Sequence, residues 1–540
     1  MVRFALTRGT EGLMERKNRR QFVSSLRISA FVLATAAFGA TVTACRVNES
    51  DVKRWGSTEH GPDKLAAVLM HDKYDLQLRV EAGLELLRMK PRSGRRIGIT
   101  RLIESLGQLS PEERKKLIDG MLPQILSQMK APPPAAPPGQ PPPLDPSFAY
   151  KDAAMAMLTY DKAVLVSDDV SRKQLTDALI DWSQHDFEHR LDNSTQMFGM
   201  EQMMRTIGAP AVKGLPVLIS GEGSRYDRVA SLVAELGDQQ SKEATAAKLV
   251  DLAKQTGSQA WLDKTKPSVE EANRASKITP TPEQLQKQLA QYQEEALTKI
   301  FASIKKVGTR PAIDYCLSVA SDRTQNEKRR QAALAAIEGR LDRSNPGDAE
   351  KVLALAAAED TPDSVRDLAF QRIGEMPRDQ VVQKLYGLFN SHKWKVRWVA
   401  AGTVLRMSST DQLGEFMSHL PGGLAPGFAM TEPLSYGGLI EKMTVKGRTP
   451  REAVTPFLKE GNLAARLTAL GFFYATGKAA DTKVLVPLEA DRFPVPKTDD
   501  PEAKWQCEVP KADGKETETK DIKDVGEFVR FCVTPAMKAR

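Results

Sequence analysis

The sequence predicts an all-α chain, an α-solenoid of stacked helix pairs with a small β-containing C-terminal cap. Three observations carry that expectation. Apolar residues recur at a helical period through most of the 540 residues, and strand-like alternation is nearly absent before the C-terminal tail. An arginine, a small residue three later and an apolar residue seven later recur at intervals of 36, 31 and 69 residues, the last close to two units. Periods in that range belong to stacked helix pairs. After Pro487 the pattern changes to short alternating runs. A chain of this length exceeds one ordinary core. Its 41% hydrophobic and 27% charged residues, with a mean hydropathy of -0.38, exclude a polytopic membrane protein and a disordered polymer.

Residues 1–44 have the form of a signal peptide. A basic stretch at 15–27 precedes the uncharged run Ile28 to Ala44, which is too short for a comfortable membrane span. The run closes on Val42-Thr43-Ala44-Cys45, which resembles the lipobox of bacterial lipoproteins. In that resemblance Cys45 carries the diacylglycerol and becomes the first residue of a membrane-anchored chain. Arg46 and Val47 lack the aspartate that retains enteric lipoproteins at the inner membrane, so the resemblance implies the outer membrane, facing the periplasm. Arg19-Arg20-Gln21-Phe22-Val23 also resembles a twin-arginine export signal, and leaves the export route open. The leader carries much of the net charge of +8; without residues 1–45 there remain 70 basic against 67 acidic residues. That balance removes the electrostatic support for nucleic acid as a partner.

Residues 45–130 form an N-terminal helical segment. Ser110-Pro111-Glu112-Glu113 marks a helix start as cap, first-turn proline and acidic first turn. Residues 131–146 are a proline-rich linker in which nine of the last fifteen residues are proline. Such a run adopts polyproline II, and as a strut it would span about 45 Å.

Residues 147–486 carry the array. The recurring pattern is Arg330-x-x-Ala333-x-x-x-Ile337, then the same spacing from Arg366, Arg397 and Arg466, with an earlier copy at Arg79. Asp360 to Ala369, with Arg366 inside it, resembles the second helix of HEAT-type repeats. The resemblance implies that these five arginines form a ladder between neighbouring repeats, with acidic residues before each helix. Arg397 has Asn390-Ser391 where the acid is expected, which leaves its partner open. A charged stretch, Thr256 to Pro282, interrupts the array before a long helix that runs through Lys306.

Residues 487–540 form the cap, with strand-like runs at 485–489, 504–509 and 528–533. Cys507 and Cys532 lie in the same tail of an exported chain, which predicts a disulfide. Cys316, among Ala312, Ile313, Leu317 and Val319, is expected to be a buried thiol.

Two stretches invite a chemical reading. His185-Asp186-Phe187-Glu188-His189 fits the H-x-x-E-H pattern of inverted zinc peptidases, in which two histidines one helical turn apart hold the metal and the glutamate activates water. Glu235, Glu243 and Glu270 are the candidates for a third ligand. The same stretch also fits an amphipathic repeat helix, Leu179 to Leu191, with a polar face. Trp394 and Trp398, among Lys393, Lys395 and Arg397, suit either stacking on a ligand or packing within the array. No serine triad, nucleotide fingerprint or Cys-His nucleophile pattern emerges. The expected function is therefore a cell-envelope lipoprotein that binds an envelope protein partner through a solenoid groove, without catalysis or cofactor. The alternative is a zinc hydrolase using His185, Glu188 and His189.

Overall fold

Many of the described helices start on a side-chain cap. Asp75, Ser110, Asp168, Asp238, Ser258 and Asn326 each accept the amide hydrogen three residues ahead. Thr281 adds a full capping box with Gln284. Each cap satisfies a backbone donor that the helix itself leaves unpaired.

The structure, a computed structural model, describes residues 47–540 apart from 136, 138–142, 161–164, 186, 192–196, 221–224, 422–427, 460, 498–499 and 511–515. The leader and Cys45 lie outside the described residues. No helix among the described residues is long and apolar enough to cross a membrane.

From Glu49 onward the helices pair and the pairs stack in two layers. In the N-terminal part the first helices are Gly61–Met70, Ile97–Gln108 and Ser147–Thr159, and the second helices are Leu76–Arg88, Pro111–Lys130 and Asp169–Gln184. Each packs on the next of its own layer. Further on, Arg310–Ser321, Pro346–Ala357 and Arg378–Gly387 continue one layer. Pro282–Val307, Glu327–Ala336, Asp363–Ile373, Trp394–Arg406, Thr431–Ile440 and Leu463–Thr476 form the other. The fold is thus an all-α solenoid of HEAT-like helix pairs with a small β-containing C-terminal part.

Alanine within each second helix lets the layer close up. Ala333, Ala369, Ala400 and Ala469 are all fully buried. The approach is tightest between Thr431–Ile440 and Leu463–Thr476. A Cβ at Gly437 would lie 2.2 Å from the Gly471 carbonyl carbon, and one at Gly471 would lie 2.0 Å from Pro433 O. Only glycine at both positions permits that contact.

Three expectations need correction. The proline-rich run 131–146 does not hold its flanks apart, because Pro111–Lys130 packs directly on Ser147–Thr159. Arg88 Nε donates to Tyr150 Oη at 3.1 Å, and Arg96 Nε lies 2.8 Å from Asp152 Oδ2. The helices on either side of the proline segment therefore pack as successive members of the array. The charged stretch 256–282 is likewise no interruption: Gln259–Ala275 is a helix that folds back on Pro282–Val307.

The third correction concerns the cap. Its strands are β1 (Gln506–Pro510) and β2 (Thr517–Asp521), paired antiparallel with Cys507 opposite Lys520. Residues 485–488 and 528–533 are helical. Phe528, Val529, Cys532 and Val533 are buried, and that spacing is a helix face packed on Leu463–Thr476. Cys507 and Cys532 form the expected disulfide, tying β1 to this helical segment. Burial pushes the Cys316 thiol up to about 12, which leaves it an inert core residue.

Candidate binding surface and the arginine register

Three of the five repeat arginines occupy one structural position. Arg79, Arg330 and Arg366 are buried, and the Nε of each donates to a carbonyl ten residues earlier: Leu69 O at 2.9 Å, Ala320 O at 2.9 Å and Ala356 O at 3.1 Å. Each acceptor sits in the last turn of the first helix of the same pair, where carbonyls lack intrahelical partners. The arginine on the second helix therefore caps the first. The HEAT resemblance implies contacts between repeats, but in these three the shared bond lies inside the pair. Links between repeats vary: Arg79 Nη1 donates to Glu113 at 2.6 Å, and Arg466 Nη1 donates to Asp491 at 2.6 Å in the tail.

Arg397 resolves differently. It is buried, and its Nη2 and Nε donate to Glu432 at 2.9 and 3.3 Å, while Nη1 bonds Ser391 O and His392 O. Glu432 is fully buried and also accepts from Ala429 N at 2.9 Å and from Tyr436 Oη at 3.2 Å. Burial holds the Glu432 carboxyl above its ordinary value, although Arg397 pulls it down. Glu432 stands 35 residues after Arg397 and 34 before Arg466, so it takes the arginine position of the degenerate repeat. Arg114, 35 residues after Arg79, occupies the same register and is also buried. Both residues escape the arginine pattern. Glu432 is an acid, and Arg114 has Leu117 where the pattern asks for a small residue. The repeat interval alone would have found them.

A second buried charge cluster had no signature in the sequence. Lys151 and Asp152 are fully buried, with Lys151 Nζ 2.7 Å from Asp152 Oδ1. The Asp152 carboxylate also accepts from the amides of Met197 and Phe198 at 2.7 and 3.1 Å. It pins the segment after residue 196 to the helix Ser147–Thr159.

The zinc motif does not assemble. The helix Asp169–Gln184 ends where the pattern needs it to continue, and His185 is its C-cap residue with ψ 120°. A separate short helix begins at Phe187, so His185 and His189 do not share one helix, nor does one amphipathic helix run from Leu179 to Leu191. Arg190 explains the break: its guanidinium donates to Trp182 O at 2.7 Å and His185 O at 2.9 Å, and lies 4.5 Å from the Trp182 ring. Glu235 is engaged by Arg205 at 2.9 Å, and Glu243 accepts from Gln239. Among the described residues no group of three metal-ligating side chains forms.

One open surface among the described residues is a groove of about 570 Å³ along the second-helix layer, bounded by Asp363–Ile373, Trp394–Arg406 and Thr431–Ile440. Trp398 lines it, while Trp394 turns to the cap and donates to Asp500 at 2.9 Å. The two tryptophans thus serve different ends: one holds the tail and the other faces the groove.

No protein-family model matches the chain, and no curated protein matches it. Among solved structures it is similar to Kap121p, with 12% identity and a TM-score of 0.32 over 83% of this chain and 44% of that one. It is similar also to Kap121p bound to Ste12p, with 13% identity and a TM-score of 0.34 over 82% and 48%. The chain spans about half the length of these structures. A likeness this distant says nothing of what the chain binds.

Proposed function

We propose that this chain is a cell-envelope lipoprotein, held at the outer membrane by a lipid on Cys45, whose helical array binds a protein partner without catalysis of its own. The open groove across three successive second helices is the observation that supports binding, since repeat arrays offer such continuous faces. The leader supports anchoring: a basic stretch, an uncharged run and a terminal Val-Thr-Ala-Cys. Each buried methylene contributes about 0.8 kcal/mol, so two or three acyl chains make attachment effectively permanent.

Capture from crosslinked envelopes tests the reading, with the full-length chain as bait and the Cys45→Ser variant beside it. Cys45→Ser should accumulate as unprocessed precursor and leave the detergent phase. Normal processing and unchanged partitioning would overturn the lipid assignment. A wild-type chain that crosslinks to no envelope protein would overturn the binding role.

A further inference from the structure

The groove carries more than an apolar floor. Its helices lie with their N-terminal ends together, because Lys395 Nζ is 3.4 Å from Asp363 and Arg397 pairs with Glu432. Asp367 and Trp398 therefore sit toward one end and Arg406 at the other. The Arg406 guanidinium reaches back along its helix to Thr403, to which its Nη2 donates at 3.1 Å, and so lies beside Gly402. The floor of the groove is Phe370, buried, and Gly402, with Leu439 on the far wall. A Cβ at Gly402 would already meet Arg406 Nη1 and Leu439 Cδ1 at 3.4 Å, so any longer side chain would fill the floor.

Of the ionic groups here, Arg372 and Glu375 form an ion pair, although Arg372 Nε and Nη1 have no hydrogen-bond partner among the described residues. They pair at 3.0 Å, and Glu375 also accepts from Gly339 N at 2.8 Å. Asp367 and Arg406 are in no such pair. Among the described residues Asp367 has no hydrogen bond or ion pair, and the one bond from the Arg406 guanidinium goes to Thr403 Oγ1 at 3.1 Å. Desolvation pulls Arg406 below its ordinary value with no carboxylate to offset it, and burial beside Asp363 pushes Asp367 up. A groove with an acid that makes no hydrogen bond at one end and an under-bonded guanidinium at the other is complementary to a ligand of the opposite polarity.

We infer that this groove takes an extended segment of a partner polypeptide in which apolar residues separate a carboxylate, placed at Arg406, from a cationic side chain, placed at Asp367. This inference rests on the protein-binding role and names the chemistry of the partner.

The probe is a random nonapeptide library panned on the mature chain, with the best-enriched peptide carried into binding measurements. Enriched peptides should pair Asp or Glu with Lys or Arg, separated by Leu, Met or an aromatic residue. Arg406→Glu should weaken binding by about tenfold or more, and changing the peptide's acid to lysine should restore it on that variant. Gly402→Leu, which fills the floor without altering charge, should weaken the peptide equally, while Lys287→Glu outside the groove should not. Both groove variants are checked for native circular dichroism, and the charge rescue separates a lost contact from a lost fold. Enrichment without charge pairing, no enrichment, or unchanged binding by Arg406→Glu would overturn the inference. If envelope crosslinking still yields a partner for the wild type and for both groove variants, the groove assignment falls and the binding role stands.

Discussion

The Arg366 and Arg397 junctions carry one sequence pattern and two different electrostatic solutions. At Arg366 the guanidinium bonds two carbonyls, Ala356 O and Ala358 O, and a local acid, Asp363, whose side chain is 55% exposed. At Arg397 the local acid is missing and a fully buried glutamate from the next repeat replaces it. The pattern thus specifies where a guanidinium is buried and leaves its counter-charge to context. The consequences differ, because an exposed ion pair contributes little whereas a buried one is costly to break.

The largest effect should come from Glu432→Ala. It strands the Arg397 guanidinium, which is 2% exposed, and should cost about 3–5 kcal/mol. Hydrogen exchange at 394–406 and 431–440 measures it locally, in a chain too long for one two-state transition. Replacing both partners with apolar residues, Arg397→Met with Glu432→Leu, should recover only part of the loss, because Ser391 O, His392 O, Ala429 N and Tyr436 Oη still lose their partners. The pH dependence sharpens the comparison. The folded Glu432 value lies above its ordinary 4.5, so its contribution is full in acid and is lost as pH rises through the folded value. Glu432→Gln should flatten the opening free energies from about pH 4 upward. A loss under about 1 kcal/mol in Glu432→Ala would erase the distinction between the junctions.

Arg366→Ala should come next, at about 1–3 kcal/mol, because it leaves two carbonyls at the end of the helix Pro346–Ala357 without their donor. Wild-type exchange protection in Pro346–Ala357 would mean that water replaces the guanidinium without cost, and would remove the physical meaning of the register.

The same contrast shows what was legible beforehand. The arginines could be found because burying a guanidinium at one site per repeat imposes a spacing that survives in sequence. Glu432 and Arg114 obey the spacing but not the residue pattern, so a search by residue type passes over them. The groove left no local trace, since Asp367, Trp398 and Arg406 lie on two helices and look there like ordinary surface residues. The proline run shows a further limit. Composition fixes its stiffness, but whether its flanks touch depends on Arg88 and Arg96 meeting Tyr150 and Asp152 across it. In the cap, β2 is Thr-Glu-Thr-Lys-Asp, which has no apolar alternation to reveal a strand.

The smallest effect should be Asp363→Asn, and it tests the comparison most sharply. Asp363 makes three contributions: the bond to Arg366, a 3.4 Å approach to Lys395 and a negative charge in the first turn of its helix. Each acts at a solvated end. Arg366 keeps both carbonyls when the acid is neutralised, Lys395 keeps Glu502 at 2.9 Å, and asparagine still presents an oxygen to the guanidinium. The expected change is therefore within about 0.5 kcal/mol, and added salt should shrink it further. If Asp363→Asn instead destabilises helix Asp363–Ile373 as strongly as Arg366→Ala does, the acid rather than the carbonyl pair anchors this junction. The two junctions would then be electrostatic equivalents, with the counter-charge supplied once from within the repeat and once from the next.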